Sequence, residues 1–538
     1  MSADRIDPST EKTCQSDVSR AVGALGVCLI LGLAFYFRFA NLRANPGWYS
    51  DEGVFINYAE NLAQGRWQMF ALVDSPMLIQ RPPLFLFVLT AAFKLWGADI
   101  VVLRGLAALY GMLSVGLLYL LARASFGMRL ALLAAGLLAI CPWIVAYNRI
   151  GFTYSQMAPL FLLTILAGFK FAETSKAIWA TVACLAAGLA SATDYLGAVA
   201  PILVVAVFLV YDRRWLLPGV CLMGLILAAA FMPVYLANPQ GFWDDTRYTF
   251  SIRTDISLLL QIVNVVFNYA ELLRRESWIM VGLIGLCLLP GRRAKLMILF
   301  VVGLTMLVTV RTLTPVGRGL HYLLHIFPFI ALGLAAFIDW SVPRLFGCLD
   351  NLFRDLRRSL FGDQNIAALD RVWRVGQRVV SSGMVFLLIV SPIIWMVFAD
   401  VAQSVYGNYF IFTGNDNLTL SAEKDVNQVV DYMRLHVNAD DLVFASPQIV
   451  WAVPALQADF SLASLCDGKD MGYPADLPRL RFAYNCSLKD AAYVILDPLA
   501  RTFAIQVVPG METLIQQVEQ WPLVFRAGDL DVYKNPLK

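Results

Sequence analysis

Between Ala21 and Asp400 the chain repeats one pattern: an apolar run, then a short polar loop. A helix of about 20 apolar residues crosses the ~30 Å hydrocarbon core of a bilayer, and few other structures use so many such runs. Runs fall near 21–40, 101–122, 129–147, 152–171, 177–192, 194–210, 215–236, 277–290, 296–310, 320–341 and 379–400. They predict about eleven transmembrane helices. The supply of charge agrees, since only 15% of residues are charged and 59% are apolar, against about 25% charged in a soluble domain. A soluble enzyme, a disordered scaffold and a secreted disulfide framework are excluded together.

Sidedness follows from where Lys and Arg gather in the short loops. Residues 1–20 carry Arg5, Lys12 and Arg20 ahead of the first run, which reads as an uncleaved signal anchor with a cytoplasmic N-terminus. Arg123 and Arg129, Lys170 and Lys176, Arg213 and Arg214, and Arg292, Arg293 and Lys295 then fall in alternate loops, as does the Arg-rich stretch 342–378. That stretch is expected to face anionic inner-leaflet lipid. Positive charge thus has a membrane explanation, and no nucleic-acid partner is expected. An odd number of spans places residues 402–538 outside, together with the long first loop 41–100 and the loop 237–276. Pro82–Trp96 is too short to cross and would shift every later loop to the wrong side, so it is expected to lie in the outer interface, as are residues 55–65.

Residues 402–538 hold 10 Lys/Arg and 16 Asp/Glu, a net charge of −6 against +9 for residues 1–401. Helix-like spacing at Lys424–His436 and Glu512–Gln520 alternates with strand-like runs at Leu442–Ala445, Tyr493–Leu496 and Val524–Tyr533. The expected architecture is mainly α and polytopic, with a cytoplasmic segment 1–20, a transmembrane domain 21–401 and a small extracytoplasmic α/β domain 402–538. Cys466 and Cys486 lie in that oxidising-side domain and are disulfide candidates. No cysteine spacing suggests zinc.

The residues richest in chemistry follow the first span, at Trp48-Tyr49-Ser50-Asp51-Glu52. Adjacent carboxylates among aromatics at a membrane surface suit a general base or a metal ligand. They equally suit a helix start near Val54 capped by Ser50 or Asp51. Arg81-Pro82-Pro83 sets a cation at the start of an interfacial helix, where it either binds a lipid phosphate or snorkels to the headgroups.

Tyr49-Ser50-Asp51-Glu52, the segment Tyr58-Ala59-Glu60-Asn61-Leu62-Ala63-Gln64-Gly65-Arg66-Trp67, and Arg81-Pro82-Pro83-Leu84-Phe85 together resemble the first external loop of GT-C glycosyltransferases. That superfamily includes the protein O-mannosyltransferases and the lipid A aminoarabinose transferases. The likeness continues through Arg104-Gly105-Leu106-Ala107, Tyr147-Asn148-Arg149, Thr193-Asp194-Tyr195 and His321-Tyr322. It implies transfer of a sugar from a polyprenyl-phosphate-linked donor to an acceptor hydroxyl on a lipid, glycan or protein, outside the cytoplasm. Asp51 would then be the base, with Glu52 shaping the site. Arg81, Arg149 and His321 would bind the donor phosphate, and Tyr49, Tyr58, Asp194, Tyr195 and Tyr322 would bind substrate. Many relatives have an acid where this chain has Tyr154, and its loss weakens the case for a divalent metal, which stays unassigned, with Asp194 a candidate substitute for the missing carboxylate. The competing readings are a flippase or transporter of lipid-linked sugars, and a silent relative that binds envelope glycans. The absence of an evident inverted repeat counts against transport.

Overall fold

The computed structural model describes residues 8–74, 81–254, 276–309, 320–361, 367–407, 409, 420–469 and 477–538, with scattered positions from 263 to 274. Each apolar run is helical. After α1 (Pro8–Phe39) come β1 (Trp48–Tyr49), α2 (Ser50–Ala63), β2 (Gln68–Met69), β3 (Leu72–Val73) and α3 (Leu84–Trp96). The bundle continues with α4 (Ile100–Phe126), α5 (Met128–Ala139), α6 (Pro142–Tyr147), α7 (Thr153–Thr174), α8 (Ala177–Thr193), α9 (Val199–Tyr211) and α10 (Leu216–Ala237). It is completed by α11 (Pro239–Thr254), α12 (Ser277–Leu288), α13 (Arg292–Thr309), α14 (Phe327–Phe361), α15 (Ala367–Val385) and α16 (Ser391–Tyr406).

Among the described residues six helices are long and apolar enough to cross a membrane: Ala21–Phe39, Ile100–Phe126, Thr153–Thr174, Arg213–Ala237, Phe327–Leu360 and Trp373–Tyr406. Shorter apolar helices lie between them, and the chain is a polytopic membrane protein. The run 129–147 is divided, because Pro142 cannot donate a backbone hydrogen bond and starts α6 as a new helix. At 13 residues α3 spans roughly 20 Å, too short for a crossing. Helices α12 and α14 touch backbone to backbone: a Cβ on Gly285 would lie 1.8 Å from the Gly333 carbonyl oxygen. Small residues permit such approach where lipid offers no hydrophobic drive. The basic loops share one end of the bundle, where Arg129 pairs with Asp339 at 2.9 Å and Arg293 stands over the Tyr211 ring.

At the other end sits a five-stranded sheet. Its strands are β5 (Leu442–Phe444), β6 (Leu456–Ala458), β7 (Ala491–Leu496), β8 (Leu523–Ala527) and β9 (Leu530–Lys534), in the order β6-β5-β7-β9-β8. The first three are parallel, and β7, β9 and β8 run antiparallel. The single strand expected over Val524–Tyr533 is instead a hairpin, turned at Gly528 with φ +55°. Helices α17 (Glu423–His436), α18 (Pro447–Val450), α19 (Phe460–Cys466) and α20 (Met511–Val518) accompany the sheet. A disulfide joins Cys466 to Cys486.

This sheet does not have its core to itself. Phe55, Ile56, Leu62, Phe85 and Leu103 from the first loop and its flank pack in one apolar cluster with Val430, Phe444, Ile449 and Val494. Strand β1 pairs antiparallel with β4 (Leu420–Ser421), setting Trp48 opposite Ser421. The Trp48 ring stacks on Trp451 at 5.3 Å, and the Ala483 amide donates to the Ala71 carbonyl at 2.8 Å. The two helices expected at the interface are thus present, and α2 gains a protein partner: nine of its fourteen residues are buried.

Candidate active site

The site is organised by the first turn of α2. Tyr49 precedes the helix in extended conformation, and Glu52 accepts a hydrogen bond from the Tyr49 amide at 3.1 Å. The helix therefore starts at Ser50, four residues earlier than expected, and Glu52 rather than Ser50 or Asp51 ties back to its N-terminus. Successive helical side chains diverge by about 100°, so the two acids enter different environments.

Glu52 turns inward and is 1% exposed. Arg104 of α4 grips it through two bonds, Nε to Oε1 at 2.9 Å and Nη2 to Oε2 at 2.7 Å, and the Gly151 amide donates at 3.0 Å. Arg104 also donates to the carbonyls of Leu42, Arg43 and Gly47. Glu52 thus has both oxygens engaged by protein donors. Its partner was not among the residues assigned to the site from sequence, although an arginine near the head of an apolar run signals a buried acid partner.

Asp51 turns outward. Its Oδ2 lies 3.1 Å from Arg81 Nη2, with both side chains part-exposed. The Arg81 guanidinium stands 5.4 Å over the Phe55 ring, and its Nη1 is buried with no hydrogen-bond partner. A buried N–H without an acceptor is costly, and this one borders a small recess lined by Phe55, Tyr58, Pro82, Phe85 and Thr153. Burial pulls the Arg81 pKa down, but Asp51, with Tyr154, Tyr322 and Asp194 behind it, outweighs burial and moves it up. The guanidinium remains a fixed cation.

Those neighbours bring together residues far apart in sequence. Asp194 ends α8, accepting from the Leu196 amide at 3.0 Å and from the Thr153 hydroxyl at 3.3 Å. It caps the turn Tyr195–Ala198, on which Tyr195 sits half-buried. Tyr154 and Tyr322 meet edge to face at 5.4 Å, and Tyr49 lies 5.1 Å from Phe152. Tyr58 is buried beside the recess. The side chain of His321 lies outside the described residues. His325 is enclosed against Phe161 at 5.0 Å and packs as a core residue.

Arg149 requires a correction. It is fully buried, donating to the carbonyls of Phe37 at 2.7 Å, Ala40 at 2.6 Å, and Asn41 and Asn45 at 3.3 Å, and to the Tyr409 hydroxyl at 3.2 Å. The orphan carbonyls ending α1 attract a cation, and Arg149 satisfies them instead of facing a donor phosphate. Among the described residues no three His, Cys, Asp or Glu side chains converge. A guanidinium occupies the place beside Asp51.

Residues 80–236 match the family model described as dolichyl-phosphate-mannose-protein mannosyltransferase, a segment that includes Arg81 and begins after Asp51. No curated protein matches the sequence. The chain has the GT-C fold of membrane glycosyltransferases. Among solved structures, it is similar to apo ArnT from Cupriavidus metallidurans, with TM-score 0.56 and 15% identity over 96% of this chain and 98% of that one. ArnT from the same organism bound to undecaprenyl phosphate gives TM-score 0.53 and 16% identity over 95% and 97%. The archaeal oligosaccharyltransferase AglB from Archaeoglobus fulgidus, in complex with an inhibitory peptide and a dolichol-phosphate, gives 0.54 and 12% over 92% and 71%.

Proposed function

We propose that this chain transfers a sugar from a polyprenyl-phosphate carrier to an acceptor hydroxyl on the extracytoplasmic side of the membrane, with the N-terminus inside and the sheet-bearing residues 402–538 outside. The observation that carries the reading is the Asp51–Arg81 pair, in which a part-exposed carboxylate stands beside a cation with a buried, unpaired N–H. The family match to dolichyl-phosphate-mannose users and the likeness to an undecaprenyl-phosphate-bound protein support a lipid-linked donor.

In this mechanism the acceptor O–H gives its proton to Asp51 as its oxygen bonds to the anomeric carbon. The bond from that carbon to the phosphate oxygen breaks, and the phosphate departs with the electron pair. Arg81 offers its N–H groups to the charge growing on that phosphate, a charge-assisted contact that strengthens in the transition state. Glu52 and Arg104 hold the first turn of α2 so that Asp51 keeps its direction, and no step passes through a metal.

The test is donor use by Arg81→Ala in proteoliposomes. Hydrogen bonds to charged groups contribute about 1.5–3 kcal/mol, so kcat/KM for the donor should fall roughly ten- to a hundredfold, with Arg81→Lys between. An unchanged kcat/KM for the donor would contradict the assignment.

A further inference from the structure

The face of α2 turned away from Asp51 borders a second cavity that the transfer chemistry leaves unused. Asp51 and Glu60 are nine residues apart on this helix, hence roughly 13 Å apart along its axis and half a turn around it. Asn57, Glu60, Asn61 and Gln64 share that far face at i, i+3, i+4 and i+7 spacing. Gln457 and Tyr484 of the sheet region close the opposite wall, and the cavity measures about 410 Å³, within the ~300–1,000 Å³ of small-molecule sites.

Its lining is held in place before any ligand arrives. Asn57 accepts from the Phe70 amide at 2.7 Å and donates to Gln457 Oε1 at 2.7 Å. Asn61 Oδ1 accepts from Arg66 Nε at 3.1 Å and Nη2 at 2.7 Å, and the Tyr484 hydroxyl donates to the Gln457 carbonyl at 2.6 Å. These bonds fix the planes of two amides and a guanidinium. They leave the half-buried Glu60 carboxylate, the exposed Gln64 amide and the outer edge of Arg66 for a ligand.

The same groups select its class. One carboxylate near one guanidinium carries no net charge. A cation would find a single acid, and a phosphate would find only the outer edge of Arg66, with the Glu60 carboxylate beside it repelling the added charge. Mixed donors and acceptors on planar side chains, beside apolar surface from Leu456 and Ala483, match a neutral ring with hydroxyls at its rim and C–H groups on its faces.

We propose that this cavity is a carbohydrate site holding a neutral sugar unit of the acceptor, at a distance from the bond being made. Its role in the acceptor rests on the transferase reading, whereas carbohydrate binding itself does not.

The experiment titrates the full-length protein in nanodiscs with neutral gluco-, manno-, galacto- and arabino-oligosaccharides, and with acidic counterparts. One neutral series should bind, the pair Glu60→Gln with Gln64→Ala should weaken it at least tenfold, and Gly105→Ala, whose Cβ would meet nothing within 4 Å, should bind as the unaltered protein does. Ala483→Trp, which fills the cavity from an exposed position, should abolish binding. Binding by acidic sugars alone, by no series, or without response to these variants overturns the site. Intact binding with no sugar transfer by the unaltered protein would sink the transferase reading and leave the carbohydrate site standing. Transfer with an unchanged acceptor KM in the double variant would overturn the acceptor role.

Discussion

Asp51 and Glu52 are neighbours in sequence with opposite fates, and the difference lies in what a 100° turn of helix places in front of each. Glu52 meets a buried arginine and Asp51 meets one at the rim. Removing one partner from a buried ion pair strands the other charge at a cost of about 3–5 kcal/mol. Glu52→Gln and Arg104→Met should each lower stability on that scale in detergent thermal unfolding, and Glu52→Leu combined with Arg104→Met should recover only part of the loss, because the carbonyls of Leu42, Arg43 and Gly47 and the amides of Tyr49 and Gly151 lose their partners. If either single change left stability untouched, the pair would not be anchoring α2. The Asp51–Arg81 association was legible because both motifs flank one loop. Arg149 was placed at the donor phosphate by likeness of motif, and a motif does not distinguish an arginine aimed at a ligand from one aimed at the carbonyls ending another helix.

At the scale of elements, the decisive contact is α2 on α18. A Cβ on Gly53 would lie 2.0 Å from the Pro447 carbonyl oxygen, and this neighbour is backbone that cannot rotate aside. Gly53→Ala should therefore lever the two elements apart, costing about 1–3 kcal/mol as overpacking does and lowering transfer by displacing Asp51. Gly105→Ala, whose Cβ would meet nothing within 4 Å, is the control and should be neutral. Equal melting temperatures for both variants would contradict the docking. The helices themselves were readable, since apolar length is a local property of the chain. The pairing of β1 with β4 was not, because two-residue strands carry no periodicity and their partners are hundreds of residues apart.

At the scale of the molecule, the sequence showed where apolar surface lies and left open what covers it. The eleven apolar runs all appear as helices, and residues 402–538 contain the expected sheet. That the first loop supplies part of the sheet's apolar cluster follows only from three-dimensional packing. The proposed orientation has its own check: in a background without free cysteines, Lys424→Cys should react with impermeant maleimide on intact cells, and Arg293→Cys only after permeabilisation. Reversed access would overturn the sidedness. The central claim is tested most directly by incubating proteoliposomes with radiolabelled polyprenyl-phosphate sugars and comparing the unaltered chain with Asp51→Asn. The account predicts that one label moves to acceptor with the unaltered chain and that Asp51→Asn loses transfer at least a hundredfold while binding donor and remaining folded. Full transfer by Asp51→Asn would contradict it.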